Sequence, residues 1–370
     1  MTTIKLGDVA TEVKSSNKGD KTGCKIVGLE HLTPSDVTLS AWSDDTNNSF
    51  TKEFSKGDVL FGRRRAYLKK AAVAPFDGIC SGDITVIRAK EGKVIPQLLP
   101  FIIQNDFLFD YAVEKSAGSL SPRVKWEHLK NFEIILPDME TQKQLADTLW
   151  SINQTKQAYL ALIKQTDELV KSQFIEMFGT EDNHPENVQF VKLGDIATYT
   201  NGMAFKPDDW GDQGLPIIRI QNLTGSGEAF NYFDGEYPEK VEVNTGDVLI
   251  SWSASLGVYL WQGEKAILNQ HIFKVDFDKL PIDKFFFIYA VQQKLEDMTH
   301  KSHGSTMKHI VKKEFDNTKI AYPSEVLQIQ FADFVNQSDK SKFELQDAID
   351  NLDALSKKII AENLMVAGKE

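Results

Sequence analysis

The stretch Ser116–Trp150, SAGSLSPRVKWEHLKNFEIILPDMETQKQLADTLW, returns at Ser302–Asn336 as SHGSTMKHIVKKEFDNTKIAYPSEVLQIQFADFVN. Gly118 falls on Gly304, Pro137 on Pro323, Gln142 on Gln328 and Ala146-Asp147 on Ala332-Asp333, each pair 186 positions apart. In both copies a basic loop containing Gly and Ser leads to a short apolar strand that stops at Pro. Asp138 and Ser324 follow, where a side-chain oxygen can cap the first free N–H groups of a helix.

Those helices are long. Leu145, Leu149, Ile152, Tyr159, Ile163, Val170 and Phe174 recur at helical spacing without Pro or Gly. The second copy gives Phe331, Val335, Leu345, Ile349, Leu352 and Ile359. So narrow a stripe, held for many turns, predicts a coiled-coil seam. Lys156 and Lys342 occupy matching seam positions, polar interruptions that set register or orientation. Two ordinary amphipathic helices, each in its own core, is the competing reading. Length opposes it, because at ~1.5 Å per residue each helix would span roughly 50 Å.

The remaining duplication follows outward from there. KLGDVA at Lys5 returns as KLGDIA at Lys192, KGDVLFG at Lys56 as TGDVLIS at Thr245, and ICSGDITVI at Ile79 as LNQHIFKV at Leu268. Short apolar runs at 25–29, 58–61 and 84–87, and at 217–220, 247–250 and 272–275, predict strands. PQLLPFIIQNDFLFDYAVE and IDKFFFIYAVQQKLEDM predict helices. The expected fold class is α+β, with two pseudo-repeated α/β domains and two long helices. The boundaries are a first globular domain over 1–138, a spacer helix over 139–178, a linker and second globular domain over 179–324, and a distal helix and tail over 325–370. GTEDNHPENVQ, from Gly179, reads as the linker.

Between the repeated anchors the two halves differ almost completely. Arg63-Arg64-Arg65 becomes Trp252-Ser253-Ala254, and Ser81-Gly82-Asp83 becomes Asn269-Gln270-His271. A constant framework with divergent loops predicts one scaffold recognising two different things.

The formal net charge is −11, yet residues 1–138 carry 19 Lys and Arg against 18 Asp and Glu, while 179–324 carry 14 against 21. Acidity therefore sits in the second half and does not exclude DNA, because local clusters make phosphate contacts. No GxxxxGK[ST] loop, HExxH, CxxC, GxSxG or Rossmann glycine loop is present, and PDMETQK reads as a helix cap rather than a metal site. Cys24 and Cys80 read as buried reduced thiols. MTTIKLGD lacks the apolar run of a signal peptide, and no apolar stretch is long enough to span a membrane, so a cytoplasmic location is expected.

Recognition chemistry remains. Arg63, Arg64, Arg65, Lys69 and Lys70 flank Tyr67 after a strand, and Arg reads guanine while clustered cations hold phosphates. Ser119, Ser121, Arg123 and Lys125, with His303, Ser305, Lys308 and Lys312, suit backbone phosphate contacts. Trp252 and Ser255, with the amide-rich Asn269, Gln270 and His271, occupy the corresponding place in the second half, and amides can pair with adenine.

This ordered set, KLGD[VI]A, GDVL and G-S…P…Q-x-Q before a long helix, occurring twice, resembles the DNA specificity subunits of type I restriction–modification systems. The resemblance implies two target-recognition domains, each reading half of a split DNA sequence, and long helices paired antiparallel as a spacer. It implies two docked modification subunits supplying S-adenosylmethionine and adenine-N6 methylation, and restriction subunits supplying ATP- and Mg-dependent translocation and cleavage. This chain itself would then hold no cofactor, no metal and no catalytic residue. The chain is on the short side for that family, and its second domain is unusually acidic. The alternative from another class is a two-domain helical adaptor that binds protein or carbohydrate.

Overall fold

The strand Val59–Gly62 is buried at every position because it forms a wall between two cores. Successive side chains point to opposite faces. Val59 and Phe61 enter the core that holds the helices, and Leu60 enters the core between two sheets. In the second repeat Val248 and Ile250 face one core and Leu249 the other. The repeated GD before each strand is therefore a fold signal. Gly57 and Gly246 adopt φ of +93° and +90°, where glycine is favoured. Asp58 and Asp247 each accept a backbone N–H three residues upstream, from Ser55 at 2.7 Å and Asn244 at 2.8 Å.

The computed structural model describes residues 2–17, 19–227, 229–301 and 310–364, with the side chains of 299–301 left aside. Two compact units result, Met1–Ile163 with Glu344–Glu370, and Lys164–Phe343. The division falls inside both long helices, whereas the sequence reading separated helices from globular domains.

In the first unit, strands Ala10–Glu12, Ile84–Ala89, Val59–Gly62 and Ala71–Val73 lie in that order in an antiparallel sheet. Lys25–Val27, Gly78–Cys80 and Lys52–Phe54 form a second sheet, and Thr2–Lys5 pairs with Glu133–Leu136. The second unit repeats this order with Thr198–Asn201, Ile272–Asp276, Val248–Ser251 and Gly257–Leu260. Leu215–Ile218, Ala266–Leu268 and Glu242–Val243 form its second sheet, enlarged by Asn231–Phe233, and Gln189–Lys192 pairs with Lys319–Tyr322.

Both long helices are continuous, Met139–Phe178 and Glu325–Leu364. Asp138 caps the first through the Thr141 N–H at 2.9 Å. In the first unit Ala146 and Leu149 share a core with Ile360 and Leu364, and Leu145 and Ile359 pack against it. In the second, Val170 and Phe178 share a core with Phe331, and Phe174 and Val335 flank it. Rising numbers on one helix thus meet falling numbers on the other, so the pairing is antiparallel. Leu149, Val170, Phe331 and Ile349 are buried. Ile152, Lys156, Tyr159, Ile163, Lys342, Leu345 and Leu352 are half-buried. The competing reading of one helix per core does not hold, because each of the two cores takes residues from both helices.

Several expectations shift. The proposed helix after Pro96 is two, Leu99–Ile103 and Asp106–Glu114, because Asn105 caps the second through the Leu108 N–H at 2.8 Å. The strand expected at 217–220 ends at Ile218, where the Asn222 side chain takes the Arg219 N–H at 3.0 Å and starts a helical turn. Cys24 is only half-buried, because it enters at the edge strand, while burial pushes the Cys80 thiol up to about 12. The stretch after Phe178 is a built turn. Gly179 closes the helix at φ +71°, Glu181 pairs with Lys319 at 2.9 Å and Val188 is buried. Among the described residues no helix is long and apolar enough to cross a membrane.

Candidate nucleic-acid interface

In the first unit the two basic stretches singled out in sequence come together. Backbone bonds join Arg65 N to Pro122 O at 2.9 Å and Val124 N to Arg63 O at 3.0 Å, and Arg63 N reaches Asp83 O at 3.0 Å. Chain reversal after the strand uses Arg65 in the left-handed region, at φ 54°, which costs a non-glycine residue about 1 kcal/mol. Asp83 occupies the centre. Arg123 grips its carboxylate in a fork, Nε at 2.7 Å and Nη2 at 3.2 Å, and Arg64 Nη1 lies 3.5 Å away. Arg64 Nε also donates to the Ser121 hydroxyl. The Arg123 hydrogen bond, with the positive charge of Arg123, Arg64 and Arg63, holds the Asp83 carboxyl below its ordinary range despite partial burial.

Tyr67 lies 55% exposed on the turn Ala66–Leu68, and Leu120, between Ser119 and Ser121, is 91% exposed. Arg65, Ser119 and Lys125 are exposed as well. Lys69 and Lys70 are otherwise engaged. Lys69 pairs with Asp106 at 2.5 Å, and Lys70 donates to the Leu29 carbonyl at 2.8 Å. Asp106 also receives Lys357 of the second long helix at 3.2 Å.

The second unit keeps the backbone and exchanges the chemistry. Ala254 repeats the left-handed turn at φ 60°, and Ile310 N reaches Trp252 O at 3.1 Å, the counterpart of Val124 on Arg63. Trp252 stacks on Phe273 with ring centres 5.8 Å apart and meets His271 at 5.5 Å. Its indole N–H donates to Asn201 at 3.2 Å. Asn269 uses its backbone, N to Ile218 O at 3.1 Å, while Ser255 and Gln270 are exposed. Lys312 pairs with Asp316 at 3.1 Å and lies over the Tyr199 and Phe273 rings. His303, Ser305 and Lys308 lie outside the described residues.

Two features escaped the sequence reading. Gln142 and Gln328, each 2% exposed, tie the first turn of each long helix to its globular fold. Gln142 accepts from Ile95 N at 3.0 Å and donates to Pro137 O at 2.9 Å. Gln328 accepts from Asp283 N at 2.8 Å and donates to Pro323 O at 2.9 Å. Secondly, the seam includes Thr166, Ser338 and Ser356, at the same alternating spacing of three and four. An apolar search passes over them.

Among the described residues no cluster of His, Cys, Asp or Glu is arranged to hold a metal ion. The family model for the type I restriction modification DNA specificity domain matches twice, over residues 1–166 and 185–354. The chain belongs to this family.

Its relatives are specificity subunits, which are non-catalytic. The type I restriction enzyme EcoBI specificity subunit of Escherichia coli is 27% identical over 135 residues, covering 36% of this chain and 28% of that protein. The putative type I restriction enzyme MjaX specificity subunit of Methanocaldococcus jannaschii is 22% identical over 394 residues, covering 95% and 88%. Among solved structures, a chain from a study of assembly and conformational transition of the type I restriction–modification system aligns with TM-score 0.59 and 21% identity, covering 98% and 97%. The specificity subunit from M. genitalium aligns with TM-score 0.54 and 13% identity, covering 99% and 96%. These alignments establish the shared fold of the specificity subunit.

Proposed function

We propose that this specificity subunit reads a bipartite DNA target, one half-site per recognition domain, and docks modification and restriction subunits that perform the chemistry. The observation that carries this reading is the exchange of side chains on a constant backbone. Arg65 and Ala254 share one turn geometry, yet Arg64 and Asp83 stand where the second unit has Ser253 and His271. Two equal scaffolds with unequal contact groups suit two unequal half-sites.

The helices serve as the spacer. The duplication gives the chain two equivalent copies of one fold, which suits two identical modification subunits. Half-sites about one helical turn apart, roughly 34–36 Å, are accessible to paired readers of this kind. Adenine-N6 methylation, with S-adenosylmethionine, belongs to the modification subunits; ATP and Mg belong to the restriction subunits.

Methylome sequencing of cells with and without the gene tests the reading. One split adenine-methylated motif should vanish with the gene. An unchanged methylome would overturn the proposal.

A further inference from the structure

We infer that Arg64 is a base-reading side chain of the first recognition domain and takes guanine, with Asp83, Ser121 and Arg123 holding its guanidinium in place. This inference rests on the bipartite reading above and gives one half-site a chemical identity.

Four long rotors normally let an arginine wander, and fixing them on binding costs affinity. Here the rotors are fixed beforehand. Arg64 follows the buried strand Val59–Gly62, its backbone pairs with that of Arg123, and its Nε donates to the Ser121 hydroxyl. Its Nη1 faces Asp83 at 3.5 Å. Nη2 has no hydrogen-bond partner among the described residues, and the side chain is 40% exposed.

Arg123 is differently placed. Its three guanidinium nitrogens already donate inside the protein, two to Asp83 and Nη1 to Ser121 O at 3.4 Å. It clamps the carboxylate that orients Arg64. Both arginines matter, but one remains available to a ligand.

Asp83 decides between base and phosphate. A carboxylate beside the contact repels a phosphate, whereas it does not oppose the neutral edge of a base. Guanine presents two acceptors, N7 and O6, to a two-pronged donor, while adenine offers one acceptor and one donor. Arg65 and Lys125, exposed and in no ion pair among the described residues, suit the flanking phosphates. Ser253, at the place of Arg64, is only 5% exposed and carries no charge, so the second domain cannot read guanine in this way.

The test uses the native gene in its own cells, read by methylome sequencing. Arg64→Lys keeps the charge and loses the planar fork. At one position of one half-site, an invariant G should become degenerate, with preference over other bases falling about tenfold. The other half-site and the spacer should stay unchanged. Asp83→Asn should relax the same position, and adding it to Arg64→Lys should relax nothing further, the signature of a residue acting through another. If Asp83→Asn unfolds the chain, Arg64→Lys decides alone. Intact half-sites in the Arg64→Lys cells would overturn the inference while leaving the bipartite reading standing. A wild-type methylome without any split motif would overturn that reading instead.

Discussion

Lys156 Nζ lies 2.8 Å from the Asp353 carboxylate in the helix seam, and 186 positions on from that lysine Lys342 lies 2.8 Å from Asp167. Asp353 is likewise 186 positions from Asp167, so duplication has preserved both partners and their order. The environments differ. The Lys156 side chain is 13% exposed, and Lys342 gains a second carboxylate, Asp339, at 2.7 Å. Burial lowers the Lys342 ammonium, but hydrogen bonds to Asp167 and Asp339 outweigh it and leave the group raised. A polar pair at a seam position favours one register over its neighbours.

The first prediction concerns that pair. A double-mutant cycle on Lys156→Ala and Asp353→Ala should give a coupling of about 1 kcal/mol, since Asp353 remains in contact with solvent. Urea unfolding of the four variants measures it. Additive effects would remove the pair from any part in stability.

Gln142→Ala should destabilise the chain by about 2–4 kcal/mol, because the Ile95 N–H and the Pro137 carbonyl both lose their partner in a buried place. Gln328→Ala should behave alike. Gln142→Glu should be little better, since a carboxylate accepts from Ile95 and cannot donate to Pro137. Thermal melts compare the three.

Acid sensitivity follows from Asp83. Its folded-state pKa is depressed, so it contributes stability that is present above the ordinary Asp value, 3.8, and is lost as pH falls through the folded value. Asp83→Asn should therefore flatten the acid limb of a melting profile below about pH 4. Asp36 runs the other way. Burial raises its carboxyl, with Lys156 pulling down and Asp353 pushing up, so its cost is present at neutral pH and fades as pH falls. Asp36→Asn should raise the melting temperature at pH 7 and change it little at pH 3.

On DNA, the assembled complex carrying Arg65→Ala or Lys125→Ala should bind its target with a shallower salt dependence, the slope of log K against log salt shrinking by about 0.9 for each phosphate contact removed. Base preference should not move. Fluorescence anisotropy at several salt concentrations, with matched and mismatched duplexes, separates the two effects.

Much of the fold was legible because the duplication prints its framework twice. The seam residues from Leu145 to Ile163 and the GDVL strand carry periodicities that burial alone imposes. Gln142 was visible as a repeated residue, but its role was not, since its partners Ile95 and Pro137 are brought to it only by folding. The basic clusters were legible as charge. Which cations stay available was not, because Asp106 and the Leu29 carbonyl, which engage Lys69 and Lys70, lie far away along the chain. Asp83 was visible in sequence only as part of a divergent loop, since Arg64 and Arg123 are brought to it by folding.

The most direct test of the spacer role removes 157–163 and 346–352 together, seven residues from each helix, which preserves the seam period and both lysine pairs. Methylome sequencing of cells carrying this variant should return the same two half-site sequences separated by a shorter spacer. The parental motif with its spacer unaltered would contradict the account.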